Sequence, residues 1–244
     1  MKDRFSKHAN QYAQFRPTYP PELYELIFKH VQSFDVVWDC GTGNGQAARD
    51  LSKKFKKVFA TDISAKQIEN AYRSENIFYS IANERSSFTD NSVDLITVAQ
   101  AAHWFDMEVF SAEAKRVSKP NGIIALWGYG LLTINPPIDI LLHHFYTHVV
   151  GPYWDKERSH IDEHYKNLYF PFQEIQTPPF VISVSWTLLE LMGYLTTWSA
   201  VQKYISVHNQ NPVDELISHI KPHWKDETQT VNFPVFLKLA RIIK

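Results

Sequence analysis

Asp39-Cys40-Gly41-Thr42-Gly43-Asn44-Gly45 puts an acid and three glycines within seven residues, directly after the apolar run Val36-Val37-Trp38. Only eight glycines occur in the 244-residue chain, so the cluster answers a local demand of the backbone. Alternating glycines let the main chain turn off a strand end and approach a ligand closely, and a helix that follows offers N–H groups and a positive dipole end. Such a loop suits an anionic or carboxylate-bearing cofactor. Asp62, seventeen residues beyond Gly45, ends the next apolar run, where a carboxylate can accept both hydroxyls of a ribose. Ala82-Asn83-Glu84 follows a third such run with polar groups able to meet an adenine edge.

Two cofactor classes use this arrangement. Gly43-x-Gly45-x-x-Ala48 matches the dinucleotide pattern with alanine last, which keeps a nicotinamide-dependent oxidoreductase, NAD(P) being its cofactor, as an alternative. Asp39 argues against it, because an acid two residues before the first glycine presses its charge towards a pyrophosphate. The same acid can receive a ligand's ammonium group or orient the N–H groups of the loop. S-adenosylmethionine carries an ammonium, a ribose and an adenine but no phosphate, and fits the acid-x-Gly-x-Gly-x-Gly order better.

The elements that position these residues are legible in the same stretch. Pro20 and Pro21 start a helix whose apolar face is Leu23, Leu26, Ile27 and Val31. Ala47 to about Lys54 reads as helix, 57–62 as a short buried strand, and 77–81 as a third strand. Ser64 and Gln67 form a capping-box pair for a helix with Ile68, Ala71 and Tyr72 as its buried stripe. Residues 93–99 are β-branched enough for a central strand, Asp106 caps a helix facing inward through Phe110, Ala114 and Val117, and Pro120-Asn121-Gly122 turns the chain into a strand over 123–127. Five strands alternating with helices predict an α/β fold with a mainly parallel sheet covered on both faces.

Beyond Gly130 the rhythm changes. A helical run over 138–149 and a charged aromatic helix around 153–165 are expected, then a strand over 180–186, a helix capped by Thr187, and a terminal strand over 228–240. No linker signal divides the chain. It reads as a single domain over 1–244: an arm (1–20), a cofactor-binding core (21–130) completed by strands near 173–186 and 228–240, and a helical cap (131–172 and 187–227).

Composition bounds the partners. With 44% hydrophobic and 14% aromatic residues, the chain can bury a large core, and a formal net charge of -1 recruits neither nucleic acid nor acidic membrane. The run Lys53-Lys54-Phe55-Lys56-Lys57 falls at a helix end, where lysines complement the dipole. One cysteine, no leader and no long apolar run predict a cytoplasmic protein. His143, His144, His148 and Asp139 invite a metal reading, but the pairs Asp139–His143 and His144–His148 point in different directions around a helix, so no metal is expected.

The chain resembles the class I S-adenosylmethionine-dependent methyltransferases, in the branch that looks like trans-aconitate methyltransferase. The resemblance covers nearly the whole length. It rests on Tyr12-x-x-x-Arg16-Pro17-x-Tyr19-Pro20, Asp39-x-Gly41-x-Gly43-x-Gly45, Asp62, Ser92-Val93-Asp94-Leu95, Gln100-Ala101-Ala102-His103-Trp104-Phe105-Asp106 and Gly193-Tyr194-Leu195-x-x-Trp198-Ser199. It implies a Rossmann-like methyltransferase fold with a seven-stranded sheet, an antiparallel last strand and a helical cap. It also implies cofactor contacts at Tyr12, Arg16, Asp39, Cys40, Gly41, Gly43, Gly45, Asp62, Ile63, Asn83, Glu84, Ala99 and Gln100, and substrate contacts at Tyr19, Trp104 and Trp127.

Methyl transfer from a sulfonium needs the nucleophile, the methyl carbon and the sulfur held in line with water excluded. A carboxylate acceptor requires no base. A hydroxyl or amine acceptor does, and His103 is then the candidate base, or else a residue that contacts substrate or packs the cofactor wall with Trp104. Arg16 can pair with the methionine carboxylate or an acidic substrate, and Tyr12 or Tyr19 can face the sulfonium through cation–π attraction. The expected partner is a small-molecule methyl acceptor with carboxylate or hydroxyl oxygen; a cofactor-binding protein without catalysis, acting through partners, is the alternative from another class.

Overall fold

The structure is a computed structural model that describes residues 16–244. Tyr12 and the rest of the arm before Arg16 lie outside the described residues. The strands are β1 (Val36–Cys40), β2 (Lys57–Asp62), β3 (Ile77–Ile81), β4 (Val93–Ala99), β5 (Ser118–Tyr129), β6 (Gln173–Ile175), β7 (Phe180–Thr187) and β8 (Thr228–Arg241). They form one sheet in the order β3-β2-β1-β4-β5-β8, with β6 and β7 following one another along the far side of β8. The first five run parallel and β8 returns antiparallel to β5. The sheet is seven strands wide but holds eight. Pro178 and Pro179, which cannot donate to a ladder, fall between β6 and β7.

The helices are α1 (Pro21–His30), α2 (Gln46–Leu51), α3 (Ala65–Glu69) and α4 (Met107–Val117) in the first half. Between β5 and β8 come α5 (Pro136–His144), α6 (Ser159–Asp162), α7 (Leu188–Thr196), α8 (Ser199–His208) and α9 (Pro212–Ile220). None of the helices is long and apolar enough to cross a membrane among the described residues. Proline opens α1 because its missing N–H goes unused in a first turn, and Leu23 and Ile27 are fully buried. Each such side chain contributes roughly 1.5–3 kcal/mol of burial.

The period of two along the strands builds two cores. Val37, Leu95, Ile123, Ala125 and Trp127 face one, with α1, α5, α7, α8 and α9. Trp38, Ile96, Val98, Ile124 and Leu126 face the other, with α4 and Tyr165. Register then sets the strand ends: Cys40 lies opposite Thr61, Asp62 opposite Ile81, and Ala99 opposite Trp127. All the candidate loops therefore leave one end of the sheet.

Three local expectations are corrected. Residues 120–122 do not turn into a new strand, since β5 runs unbroken from Ser118 to Tyr129 with a register shift opposite Val93–Leu95 that absorbs them. Helix α3 is one turn long and leaves Tyr72 half exposed; its cap is Ser64, which accepts from Gln67 N–H, but Ser64 N–H goes to Asp62, so the reciprocal half of the capping box is replaced. The helix expected around 153–165 is broken into short turns, with Pro152 inside the first of them.

Candidate active site

The glycine loop is shaped by backbone necessity. Gly41, Gly43 and Gly45 have φ of 71°, 56° and 78°, the left-handed region that costs an L side chain about 1–2 kcal/mol. A Cβ on Gly41 would strike Ala101, and one on Gly45 would strike the Tyr79 hydroxyl, whereas one on Gly43 would meet nothing within 4 Å among the described residues. Gly43 thus offers a bare backbone to the crevice, and the loop fits a cofactor that must come close.

The two acids tie this loop down from either side. Asp39 is fully buried and its carboxylate accepts from the hydroxyls of Thr42 (2.5 Å) and Thr97 (2.7 Å). Burial pushes its carboxyl up to about 6, against the pull of those two hydrogen bonds. Asp62 accepts from Gly43 N–H (2.8 Å) and Ser64 N–H (2.9 Å), joining the loop to the start of α3. Beyond β3, Asn83 turns the chain by accepting from Arg85 N–H (3.1 Å), and buried Glu84 accepts from Asp106 N–H (3.2 Å), pinning the start of α4. Ile63 and Ala99 are half-buried at the ends of β2 and β4.

Gln100 leaves β4 with φ of 55°, donating its N–H to Trp127 O (2.8 Å) and its side-chain amide to Tyr129 O (3.3 Å). A single 3₁₀ turn, Ala102–Trp104, follows and buries His103. Nδ1 of His103 stands 3.1 Å from the Tyr165 hydroxyl. Burial first, then the charge of Arg158 and of His160, pushes this imidazole down to about 3, so it is neutral across the physiological range. Tyr165 reaches it from a sharp turn in which His164 and Tyr165 are both left-handed, with φ of 54° and 58°. Two non-glycine residues in that region store on the order of 1–3 kcal/mol each, held by the surrounding packing.

A narrow cavity of about 50 Å³ opens beside this turn. Gln100, His103 and Trp104 form its floor at the end of β4, Arg16 enters from the arm, and Trp154, Asp155, Arg158, Tyr194, Trp198 and Ser199 come from the helical segments beyond β5. The structure thus brings Arg16, Gln100, His103 and Trp104 together. Arg16 donates from Nη1 to the Tyr129 hydroxyl (2.8 Å) and lies 5.2 Å over the Tyr194 ring.

Three expected contacts are relocated. Trp127 is fully buried and Tyr19 nearly so, packed edge to face at 5.6 Å on the side of β5 that carries the first core. They support Tyr129, which holds Arg16, and do not line the cavity. Cys40 is buried in the second core with its thiol 3.9 Å from the Asn83 carbonyl, so only its main chain belongs to the loop.

Trp154 and Arg158, which the sequence marked only as part of a charged aromatic stretch, were missed as site residues. Their i, i+4 spacing was the available signal. Arg158 lies 4.9 Å over the Trp154 ring even though no continuous helix joins them. The histidine cluster is elsewhere: the His144 and His148 rings stack at 4.8 Å, and no group of three or more metal-ligating side chains occurs among the described residues.

A methyltransferase domain matches residues 38–126, the span from the first strand through the fifth. Over nearly its full length the chain is also similar to a Dictyostelium discoideum protein provisionally named a methyltransferase, with 36% identity covering 98% of this chain and 95% of the relative. The chain belongs to the class I S-adenosylmethionine-dependent methyltransferases. This methyltransferase superposes on a solved Anaeromyxobacter dehalogenans structure, provisionally described as a type II methyltransferase, with a TM-score of 0.87 and 33% identity over 94% of this chain and 99% of that one. Methyltransferase cfoB of Aspergillus candidus is 25% identical over 68% of this chain and 60% of its own length. The oxidoreductase and the non-catalytic alternatives give way to this family.

Proposed function

We propose that this methyltransferase transfers a methyl group to the carboxylate oxygen of a small acid, in the manner of the trans-aconitate-methyltransferase-like branch it resembles. The observation that carries the reading is His103. An imidazole held neutral, with Nδ1 committed to Tyr165, is too weak a base to take a proton from an alcohol, and the carboxylate of Asp155 is engaged by Lys203 at 2.8 Å. A carboxylate acceptor is already a nucleophile at neutral pH and asks for no base. Two guanidinium groups in one cavity also favour an anion.

S-adenosylmethionine, when bound, supplies the activated methyl group. Gly41, Gly43 and Gly45 would admit it, Asp62 would accept from its ribose, since each carboxylate oxygen can take more than one hydrogen bond, and Asn83 would meet the adenine through the exposed edge of its turn. Asp39, accepting from Thr42 and Thr97, would keep the loop in shape. Gln100 and His103 hold the acceptor end, with His103 contacting substrate in place of serving as a base. Trp104 and the aromatic residues beyond β5 exclude water from the reacting groups.

Calorimetric titration with S-adenosylmethionine, followed by turnover on a panel of small acids, alcohols and amines, tests this. Methylation of acids with a flat pH–rate profile from 6 to 8 is expected. Turnover confined to alcohols or amines, with a limb that vanishes in His103→Ala, would overturn it.

A further inference from the structure

The reading of the acceptor as a carboxylate leaves open what fixes that carboxylate, and the segment between α5 and α6 carries the answer. We infer that Arg158 is the acceptor-anchoring residue, binding the acid through the two terminal nitrogens of its guanidinium.

Arg158 is immobilised on every side but one. Its Nε donates to the Tyr146 hydroxyl at 2.9 Å, and that hydroxyl in turn donates to Asp162 at 2.6 Å. Its guanidinium lies 4.9 Å from the Trp154 ring centre and 5.6 Å from that of Tyr146, so two aromatic rings hold its plane. Asp162 approaches only to 3.7 Å from Nε, beyond hydrogen-bond distance, and its side chain is 45% exposed, so it neutralises little of the charge. Asp155, the other acid beside it, is paired with Lys203 at 2.8 Å. The terminal nitrogens of Arg158 have no hydrogen-bond acceptor among the described residues, in a side chain only 23% exposed that lines the cavity.

A planar fork held rigid, with its bidentate edge unsatisfied, is the donor arrangement that a carboxylate matches with two parallel hydrogen bonds. Its charge reaches the reaction end as well, since Arg158 acts on both His103 and Tyr129. The walls select the remainder of the acceptor. Trp154 and Trp198 lie 5.6 Å apart and Trp198 meets Tyr194 edge to face at 6.0 Å, a continuous aromatic surface beside the fork. A flat, conjugated acid satisfies both the charge and the walls, and its uncharged amide satisfies only the walls.

Binding to the intact protein saturated with S-adenosylhomocysteine tests this without requiring turnover. The probes are benzoate, trans-cinnamate and fumarate, each beside its amide, read by quenching of tryptophan fluorescence and by calorimetry. At least one acid should bind about ten- to a hundredfold tighter than its amide. Arg158→Gln should abolish that preference while leaving the amide affinity and the S-adenosylhomocysteine affinity unchanged, and Arg158→Lys should restore part of it. A preference that survives in Arg158→Gln, or acids that bind no better than amides in the unsubstituted protein, would overturn the anchoring role. Turnover confined to alcohols or amines is a different result, since it removes the carboxylate reading on which this inference rests.

Discussion

The hydroxyl of Tyr165 stands 3.1 Å from Nδ1 of His103, across 62 residues of chain and at the boundary between the sheet and the helical segments beyond it. The pair couples the turn after β4 to the segments that wall the cavity. Its burial, before any neighbouring charge, keeps His103 neutral.

Tyr165→Phe should leave Nδ1 buried without its partner. The expected cost is about 1–3 kcal/mol of stability, with a several-fold rise in acceptor KM and no change in cofactor affinity. Denaturant unfolding beside steady-state kinetics checks this. An unchanged midpoint with unchanged KM would show that the pair is incidental.

Asp39 and His103 impose opposite pH slopes on stability. The Asp39 carboxyl is raised to about 6 in the folded protein, so between about pH 4 and 6 this group holds its proton in the native state and not in the unfolded chain, and its contribution to stability falls as pH rises. His103 is lowered to about 3, so the unfolded chain binds more protons up to its ordinary range near 6.5, and stability rises with pH. Asp39→Asn should therefore steepen the rise of stability between pH 4 and 6 and stabilise the ligand-free protein at pH 7 by on the order of 1–3 kcal/mol. Melting curves across that range decide it; an unaltered slope would mean that Asp39 is charged throughout.

Gly45→Ala places a methyl group against the Tyr79 hydroxyl at a residue with φ of 78°. Strain of about 1–2 kcal/mol and displacement of Tyr79, which donates to Tyr72 O at 2.6 Å, are expected to weaken S-adenosylmethionine binding at least tenfold. Calorimetry with Gly43→Ala alongside separates backbone strain from collision, since Gly43 has the strain and no neighbour within 4 Å of an added Cβ among the described residues. Equal affinities in both variants and the unsubstituted protein would dismiss the loop as the cofactor cradle.

Asp62→Ala removes the acceptor of the Gly43 and Ser64 N–H groups together with the proposed ribose contact. A loss of cofactor affinity of at least about 2 kcal/mol is expected, beyond one neutral hydrogen bond. Asp62→Asn, which can still accept one N–H, should recover part of the stability but little of the affinity. Full affinity in Asp62→Ala would place the ribose elsewhere.

Trp127→Phe tests a relocated residue. As a core side chain, Trp127 should cost about 1–3 kcal/mol on truncation and leave acceptor KM alone. A raised KM with unchanged stability would return it to the acceptor site.

What the sequence determined by itself is local. Three glycines in five residues permit left-handed backbone without the cost of a side chain, and all three adopt it. Apolar runs ending in Asp62 and Ala99 mark strand ends without reference to any partner, and the order of strand and helix follows from periods of two and 3.6. Tertiary structure alone decided the rest. Arg16, His103, Trp154, Arg158 and Trp198 share one cavity because the segments beyond β5 fold back over the end of β4, a closure that no window of sequence reports. The family resemblance implies a substrate contact at Trp127, but alternation along β5, fixed by pairing with β4, turns its ring into the core. The charge of His103 was equally invisible, because desolvation depends on every element that surrounds a group and on none of its neighbours in the chain alone.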